Sequence, residues 1–291
     1  MRSKFYSEKE IEFLKENIDK FGTSVCADKL DRTERSVINA CYRKIGHCCF
    51  VCNASEEEIN NLSFGYKFEP LNIDFSKTEH PKELAYFLGY FWADGYIRNG
   101  NNLVMDIVKE DADDIEHILM KLVKFAIYER SRPNKKPQKA FFYHDYKKNI
   151  ANKLIELGKY SYSLESHEKI LKFIPKEYIN YFLRGLFDGD GCLYVSKNNS
   201  KHHCTQLYIS GRYGQDWSYL VNFIKEKYDL DFKPNLRKYK EYKSSVIRAT
   251  DKTKIINFLR EIYKEDDNIY LTRKYEKIKD LISKSKYNVK E

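Results

Sequence analysis

The sequence predicts an α+β protein in which one αββαββα arrangement occurs twice, after a small all-α N-terminal domain. Three observations predict this. An apolar helix that ends in Asp-Gly occurs twice, as Phe87–Gly95 and Leu183–Gly191. The same order of strand and helix patterns follows each copy, as in an internal duplication. The first 46 residues carry helix-capping patterns without strand alternation. We expect a module at 1–46, a linker at 47–80, and two halves at 81–175 and 176–291.

The N-terminal module is expected to contain three short helices. Ser7 and Glu10 form a capping box before an apolar stripe that ends at Gly22. Thr23 or Ser24 can cap a second helix that runs through Leu30. Thr33 can cap a third helix that runs through Ile45 and is stopped by Gly46.

The first half is expected to begin with a helix after Pro81, because a proline suits the first turn of a helix. Gly95 is expected to end that helix in the left-handed conformation. The run Asn99–Asn102 is typical of a hairpin turn, and Gly158 stops the last helix. The expected elements are strands 96–98 and 103–108, helix 111–126, a hairpin over 127–146 with its tip at 132–137, and helix 150–157.

The second half repeats this order after its own helix, which ends at Asp190. Such a repeat predicts two antiparallel sheets that meet where the two Asp-Gly helices pair. We call the helices that end at Asp94 and Asp190 the two motif helices. The expected elements are strands near 192–196 and 205–210, helix 216–228, strands 233–240 and 244–250, and further helices.

Composition restricts the function less than the motifs do. The 291 residues include 52 Lys+Arg and 43 Asp+Glu, a formal charge of +9 that is compatible with nucleic-acid binding. No apolar stretch reaches 18 residues and no secretion signal is present, so we expect neither a membrane protein nor a secreted one. Seven cysteines without disulfide-framework spacing favour a reducing, intracellular setting.

The motif helices carry the chemistry that the sequence predicts. Small residues four apart, Gly89/Ala93 and Gly185/Gly189, clear one face of each helix for close packing. A carboxylate at a helix C-terminus has the wrong sign for the helix dipole, so a cation should compensate it. Two such acids brought together by helix packing would form a site for a divalent metal ion.

These segments resemble the LAGLIDADG (dodecapeptide) motifs of homing endonucleases, and the second match is very close. Phe173–Pro175, Tyr181–Arg184 and Asn268–Tyr275 resemble further segments of that family, so the resemblance covers roughly residues 80–285. It implies two sheets that form a saddle along DNA, and a monomer that cuts both strands of a long, specific double-stranded site. It also implies Mg²⁺ (or Mn²⁺ in vitro) as cofactor, a mobile element that is intron-encoded or free-standing, and action on nucleoid or organelle DNA.

The resemblance places the metal-binding, catalytic acids at Asp94 and Asp190. A basic residue should stabilise the phosphate charge or help to activate water. The candidates are Lys139 and Lys243, which fall within about one position of each other when the following helices are matched. Asp188 is expected to support the helix end rather than to bind metal, since its counterpart is Trp92.

Basic residues interleaved with tyrosines collect on the strands expected to face DNA, where such side chains contact phosphates and base edges. The candidate contacts there are Arg98, Arg130, Arg132, Lys135, Lys136, Arg237, Lys238, Lys240 and Arg248. The N-terminal module resembles small Myb-like or helix-turn-helix modules through Arg32–Val37. Its candidate major-groove residues are Arg35, Asn39, Tyr42 and Arg43.

Two alternatives stay open on the sequence alone. A DNA-binding regulator, or a maturase that binds its host intron RNA, would keep the fold without needing cleavage. The cluster His47–Cys52 suggests zinc, but a structural zinc site usually has two separated ligand pairs and this cluster is irregular.

Overall fold

The computed structural model describes the chain apart from residues 1–5, 56–57, 59–70, 124, 131–135, 146–147, 160–165, 197–203, 240–241, 265–266 and 287–291. The chain forms two compact units, Met1–Glu69 and Pro70–Glu291. None of the described helices combines the length and the apolar character that crossing a membrane requires.

The first unit contains the three predicted helical segments. Helix α1 (Glu8–Leu30) starts at the predicted capping box and is kinked at Gly22, where φ is 72°. Helix α2 (Glu34–Ala40) is capped by Thr33. It runs into a π-helical turn (Cys41–Ile45) that ends at Gly46, where φ is 94°. The break expected at Gly22 is therefore a kink inside one helix.

A small apolar core holds this unit together, and it includes the buried Cys26 and Cys41. Burial raises the pKa of both thiols to about 12, which suits core residues rather than reactive thiols. The packing continues past Gly46, because the amide of Thr23 donates to the Cys49 carbonyl. Over the described part of the chain, no group of three or more His, Cys, Asp or Glu side chains converges to hold a metal ion.

The second unit begins with the first half, whose sheet has the strand order β1-β2-β4-β3 with antiparallel neighbours. Its elements are α3 (Pro81–Asp94), β1 (Gly95–Arg98), β2 (Asn102–Val108), α4 (Lys109–Met120), β3 (Ala126–Arg130), β4 (Gln138–His144) and α5 (Asn149–Glu156). A short helix α6 (Glu168–Phe173) and a 3₁₀ turn (Lys176–Tyr178) lead to the second half.

The second half repeats the pattern with the order β5-β6-β8-β7. Its elements are α7 (Ile179–Asp190), β5 (Gly191–Val195), β6 (Thr205–Arg212), α8 (Ser218–Tyr228), β7 (Lys233–Tyr239), β8 (Tyr242–Ala249), α9 (Lys252–Ile262) and α10 (Thr272–Lys286). The predicted α+β class and the duplicated αββαββα order are both confirmed.

Two local predictions are wrong. Gly95 is not a left-handed cap but extended, with φ −81° and ψ 156°, because α3 passes directly into β1. A side chain at Gly95 would strike the ring of Phe91, so close approach explains the glycine. Helix α4 ends at Met120 rather than Ala126, and Val123 and Phe125 are instead buried in the core before β3.

Each sheet has one face on a shared hydrophobic core and an opposite face, which we call the outer face. Leu103, Met105 and Phe141 of the first sheet belong to the core, as do Leu207 and Ile209 of the second. The outer faces carry the alternate residues. On the first sheet these include Tyr96, Arg98, Asp106, Tyr128 and Arg130, and on the second they include Tyr208, Arg212, Lys233, Arg237 and Arg248.

Candidate active site

The two motif helices, α3 and α7, touch along their backbones. A Cβ atom at Gly89 would overlap the Phe182 carbonyl and lie 2.8 Å from the Leu186 nitrogen. A Cβ at Gly185 would overlap the Tyr86 carbonyl and lie 2.8 Å from the Tyr90 nitrogen. Only glycine permits this approach, which is symmetric between the two halves.

The packing brings the C-terminal ends of the two helices together, and with them Asp94 and Asp190. A Cβ at Gly189 would lie 3.6 Å from the Oδ2 atom of Asp94, so the Asp94 carboxylate lies beside the partner helix. Asp94 is exposed and Asp190 half-buried by solvent accessibility, yet enough protein surrounds both carboxylates for burial to be the main cause of their raised pKa values.

The two carboxylates interact with each other. Burial, and then the negative charge of Asp94, raises the pKa of Asp190 to about 7. Burial also raises the pKa of Asp94, although Lys274, Tyr90 and Lys159 oppose that rise. Two acids at the wrong ends of helix dipoles, each harder to ionise than usual, form a site that a cation would stabilise.

Two lysines compensate the helix ends, as the dipole argument predicts. The Lys159 ammonium donates to the Trp92 carbonyl over 2.6 Å. The Lys274 ammonium donates to the carbonyls of Phe187, Asp188 and Gly191 over 2.6–2.8 Å. Each lysine also interacts electrostatically with both Asp94 and Asp190. Burial lowers the pKa of Lys159 to about 8, and the two aspartates limit that fall.

The last turn of α7 is held by a buried acid. Asp188 accepts hydrogen bonds from Tyr86 (2.8 Å), from Tyr263 (2.5 Å) and from the backbone amide of Leu271 (2.9 Å). This carboxylate therefore supports the helix end, as the sequence predicts.

The last turn of α3 is held differently. Trp92 packs against His167, which stacks on Trp217 at a centroid distance of 5.5 Å. Burial, and then the nearby Lys159, lowers the pKa of His167 to about 3, so this imidazole is neutral. The last turn of α7 is thus supported by hydrogen bonds to a carboxylate, and the equivalent turn of α3 by aromatic packing.

The lysines predicted from the sequence lie elsewhere. Lys139 shares a strand face with the core residue Phe141 and pairs with Asp113 (2.8 Å) and Glu116 (3.6 Å) of α4. Lys243 lies opposite Lys238, with its ammonium 5.8 Å from the Tyr213 ring. Catalysis by Lys139 and Lys243 stays a prediction.

Spacing alone could not identify Lys159 and Lys274. Lys159 follows closely after α5, whereas Lys274 lies inside α10, well beyond the end of α9. The two lysines are equivalent in the carbonyls that they bind, but not in their positions along the sequence. The helix dipoles called for a cation near each helix end without specifying a residue, and the family-like segment Asn268–Tyr275 contained Lys274 without indicating its role.

The predicted DNA contacts are distributed over both units. Arg98, Arg130, Arg237 and Arg248 lie on the outer faces, whereas Lys238 shares the strand face of Lys243. Lys136 is exposed and pairs with Glu110. Arg132, Lys135 and Lys240 lie outside the described residues. In the first unit, Arg35, Asn39, Tyr42 and Arg43 are all exposed. The sequence did not single out Arg212 on the second outer face.

Several solved structures are similar to this chain. The LAGLIDADG homing endonuclease I-LtrWI bound to target DNA is 15% identical over 75% of this chain and 92% of its own, with a TM-score of 0.48. The homing endonuclease I-WcaI bound to its DNA recognition sequence is 13% identical over 77% and 97%, with a TM-score of 0.48. Full-length DUF199/WhiA from Thermatoga maritima is 15% identical over 71% and 61%, with a TM-score of 0.45. No family model and no curated protein matches the sequence.

Proposed function

We propose that the protein is a sequence-specific endonuclease that cuts both strands of DNA with a divalent cation held by Asp94 and Asp190. The observation that carries the proposal is the meeting of these two acids at the crossing of α3 and α7, with the ammonium groups of Lys159 and Lys274 beside them. Each half of the chain contributes one acid and one lysine, which suits a reaction carried out once on each strand.

The donor set fits Mg²⁺ or Mn²⁺. Magnesium is commonly held by one or two carboxylates, with its other positions filled by water and substrate phosphate. When bound, such an ion neutralises phosphate charge and makes a coordinated water a better nucleophile at neutral pH. The raised pKa values of Asp94 and Asp190 also favour a cation at this site, because a nearby positive charge would stabilise the ionised forms of both acids.

The lysines have two roles in this proposal. Both fix the ends of the motif helices through backbone carbonyls, and both add positive charge where negative charge develops on a scissile phosphate. With a pKa of about 8, Lys159 can also hold or release a proton close to neutral pH. The arginines of the outer faces would hold the DNA. The exposed Arg35, Asn39, Tyr42 and Arg43 of the first unit would add contacts.

The finer expectations follow from the sequence resemblance. They are a long target site, a monomeric enzyme and a mobile, intron-encoded or free-standing element.

The test is Mg²⁺-dependent cleavage of a randomised duplex library by the intact chain and by Asp94→Asn and Asp190→Asn. The exposed Asp280→Asn is the matched control. We expect discrete double-strand cuts that each active-site variant loses while it still binds DNA. Tight, specific binding without cutting by the intact chain would instead support a regulator, or a maturase if the preferred ligand is intron RNA.

A further inference from the structure

The outer faces of the two sheets differ in charge. The described charged residues on the second outer face are all basic: Arg212, Lys233, Arg237 and Arg248. The first outer face carries an acid, Asp106, in addition to Arg98 and Arg130. An acid on a surface that faces DNA repels phosphate. Asp106 therefore does not serve as a general electrostatic contact with DNA, and its role must be a different one.

Asp106 holds Arg130 in place. Nη1 of Arg130 donates to both carboxylate oxygens of Asp106 at 2.7 Å. Asp106 lies on β2 and Arg130 on β3, so the pair spans the intervening β4 at Ala140, whose methyl side chain is buried. The guanidinium keeps 29% of its side-chain surface exposed and the acid 17%, so the pair can be reached from the outer side.

The second half has no such pair at the equivalent positions. Because Gly95 pairs with Met105 and Gly191 with Ile209, Asp106 corresponds to Ser210. By the same register Arg130 corresponds to Arg237, which lies 5.2 Å from the Tyr208 ring. The acid is therefore a feature of the first half alone.

We infer that Asp106 positions Arg130 to read a guanine in the part of the target that lies on the first sheet; this inference rests on the proposed function. Arginine recognises guanine through two hydrogen bonds to O6 and N7, which requires a planar, oriented guanidinium. A carboxylate that holds one guanidinium nitrogen fixes that plane and reduces the entropy lost on binding. Since the pair is nearly neutral overall, it contributes orientation rather than general attraction to phosphate.

The test is a binding selection from a randomised duplex library with the full chain, in EDTA so that cutting does not intervene. Base preference at each position and affinity for unrelated DNA are measured for the wild type, Arg130→Ala, Arg130→Lys and Asp106→Asn. Arg248→Ala is the control, because that exposed arginine lies on the outer face of the second sheet. Thermal melting verifies that each variant folds.

We expect one guanine-containing base pair whose replacement weakens wild-type binding roughly 10- to 100-fold. Arg130→Ala, Arg130→Lys and Asp106→Asn should lose that preference and keep the others. Asp106→Asn should at the same time bind unrelated DNA more tightly, because the substitution removes a negative charge from the outer face; the loss of the guanine preference is the result that a merely structural role does not predict. Arg248→Ala should weaken binding to all sequences alike, with a salt slope smaller by about 1.

Two results would overturn the inference while leaving the proposed function intact. One is a uniform loss of affinity in Arg130→Ala with every base preference kept. The other is an unchanged preference in Asp106→Asn. A wild-type chain that selects no sequence would overturn the proposed function itself.

Discussion

Lys159 and Lys274 bind the same helix position in the two halves: the first donates to the carbonyl of Trp92, and the second to that of Asp188. These two carbonyls lie two residues before Asp94 and Asp190. The lysines thus bind the backbone that carries the acids. Substitution of either lysine should therefore reduce the rate of DNA cleavage more than it reduces the affinity for DNA.

Replacement of either lysine by methionine should slow single-turnover cutting by roughly 100-fold, with a much smaller change in DNA affinity. Lys159→Arg should recover part of the rate. Because the pKa of Lys159 is about 8, a rate that needs its positive charge should fall above pH 8 in the wild type but not in Lys159→Arg. The same changes at Lys139 and Lys243 test the sequence-based assignment. A large rate loss there, and none at Lys159 or Lys274, would show that Lys139 and Lys243 are the lysines that support cleavage.

Gly89→Ala and Gly185→Ala should destabilise the protein by about 1–3 kcal/mol or more, since each added methyl group meets a backbone carbonyl of the partner helix. In an ordinary helix interior the same change stabilises by up to about 1 kcal/mol. The sign of the change in melting temperature therefore reports directly whether the two backbones touch. An increase in either variant would contradict the close packing.

Arg184 is a buried cation whose loss should be costly. It is 1% exposed and donates to Asp267 (2.8 Å) and to the carbonyls of Ile262 (2.6 Å) and Ile269 (3.0 Å). Arg184→Met should destabilise by about 3–5 kcal/mol, because these acceptors lose their partner. Chemical denaturation measures the effect, with Arg260→Met, at a half-buried position, as the control. Equal effects in the two variants would refute the special role of Arg184.

Stability should depend on pH through Asp190. Its folded-state pKa of about 7 lies above the ordinary value for aspartate, so the neutral form stabilises the fold. That contribution is complete below about pH 4 and is lost as pH rises through 7. At pH 8 without divalent ions, Asp190→Asn should therefore melt a few degrees higher than the wild type.

Added Mg²⁺ should then raise the melting temperature of the wild type more than that of Asp190→Asn. Identical melting curves for the two proteins from pH 4 to pH 8, with and without Mg²⁺, would contradict both the raised pKa and the metal site.

The first unit should add affinity rather than chemistry. Deletion of residues 1–69 leaves the unit that holds Asp94 and Asp190. We expect the shortened chain to bind its target more weakly, with a smaller salt dependence, and to keep metal-dependent cutting. Tyr42→Ala and Arg43→Ala in the full chain should reproduce part of the loss. Unchanged affinity after deletion would exclude a DNA-binding role for this unit.

Most of the fold could be predicted because it depends on patterns among residues that are close together in the sequence. Ser7 and Thr33 cap helices, Gly22 and Gly46 interrupt them, and strand alternation places Leu103 and Leu207 in the core. The duplication then gave both sheets at once. The sequence prediction for Gly95 is wrong because a glycine after a helix usually marks a left-handed cap, whereas here the nearby Phe91 ring requires a glycine.

The parts of the site that were not predicted depend on contacts distant in sequence. Lys159 and Lys274 are defined by which carbonyls they reach, and Arg130 by an acid across an intervening strand. Such pairings follow from the packed sheets and helices. Residue type and spacing along one chain carry little trace of them.

The contacts of α10 have a consequence for how the protein is made. Arg273 forms two hydrogen bonds with Asp111 of α4, and Thr272 forms two with Asp114. These bonds join positions 162 and 158 residues apart, and Lys274 is the next residue along. While the chain emerges from the ribosome, Asp111 and the end of α7 lack these partners until Thr272, Arg273 and Lys274 have been synthesised. A translation product interrupted before Thr272 therefore holds both acids without their complete surroundings, so the assembled site forms only after this segment has been made.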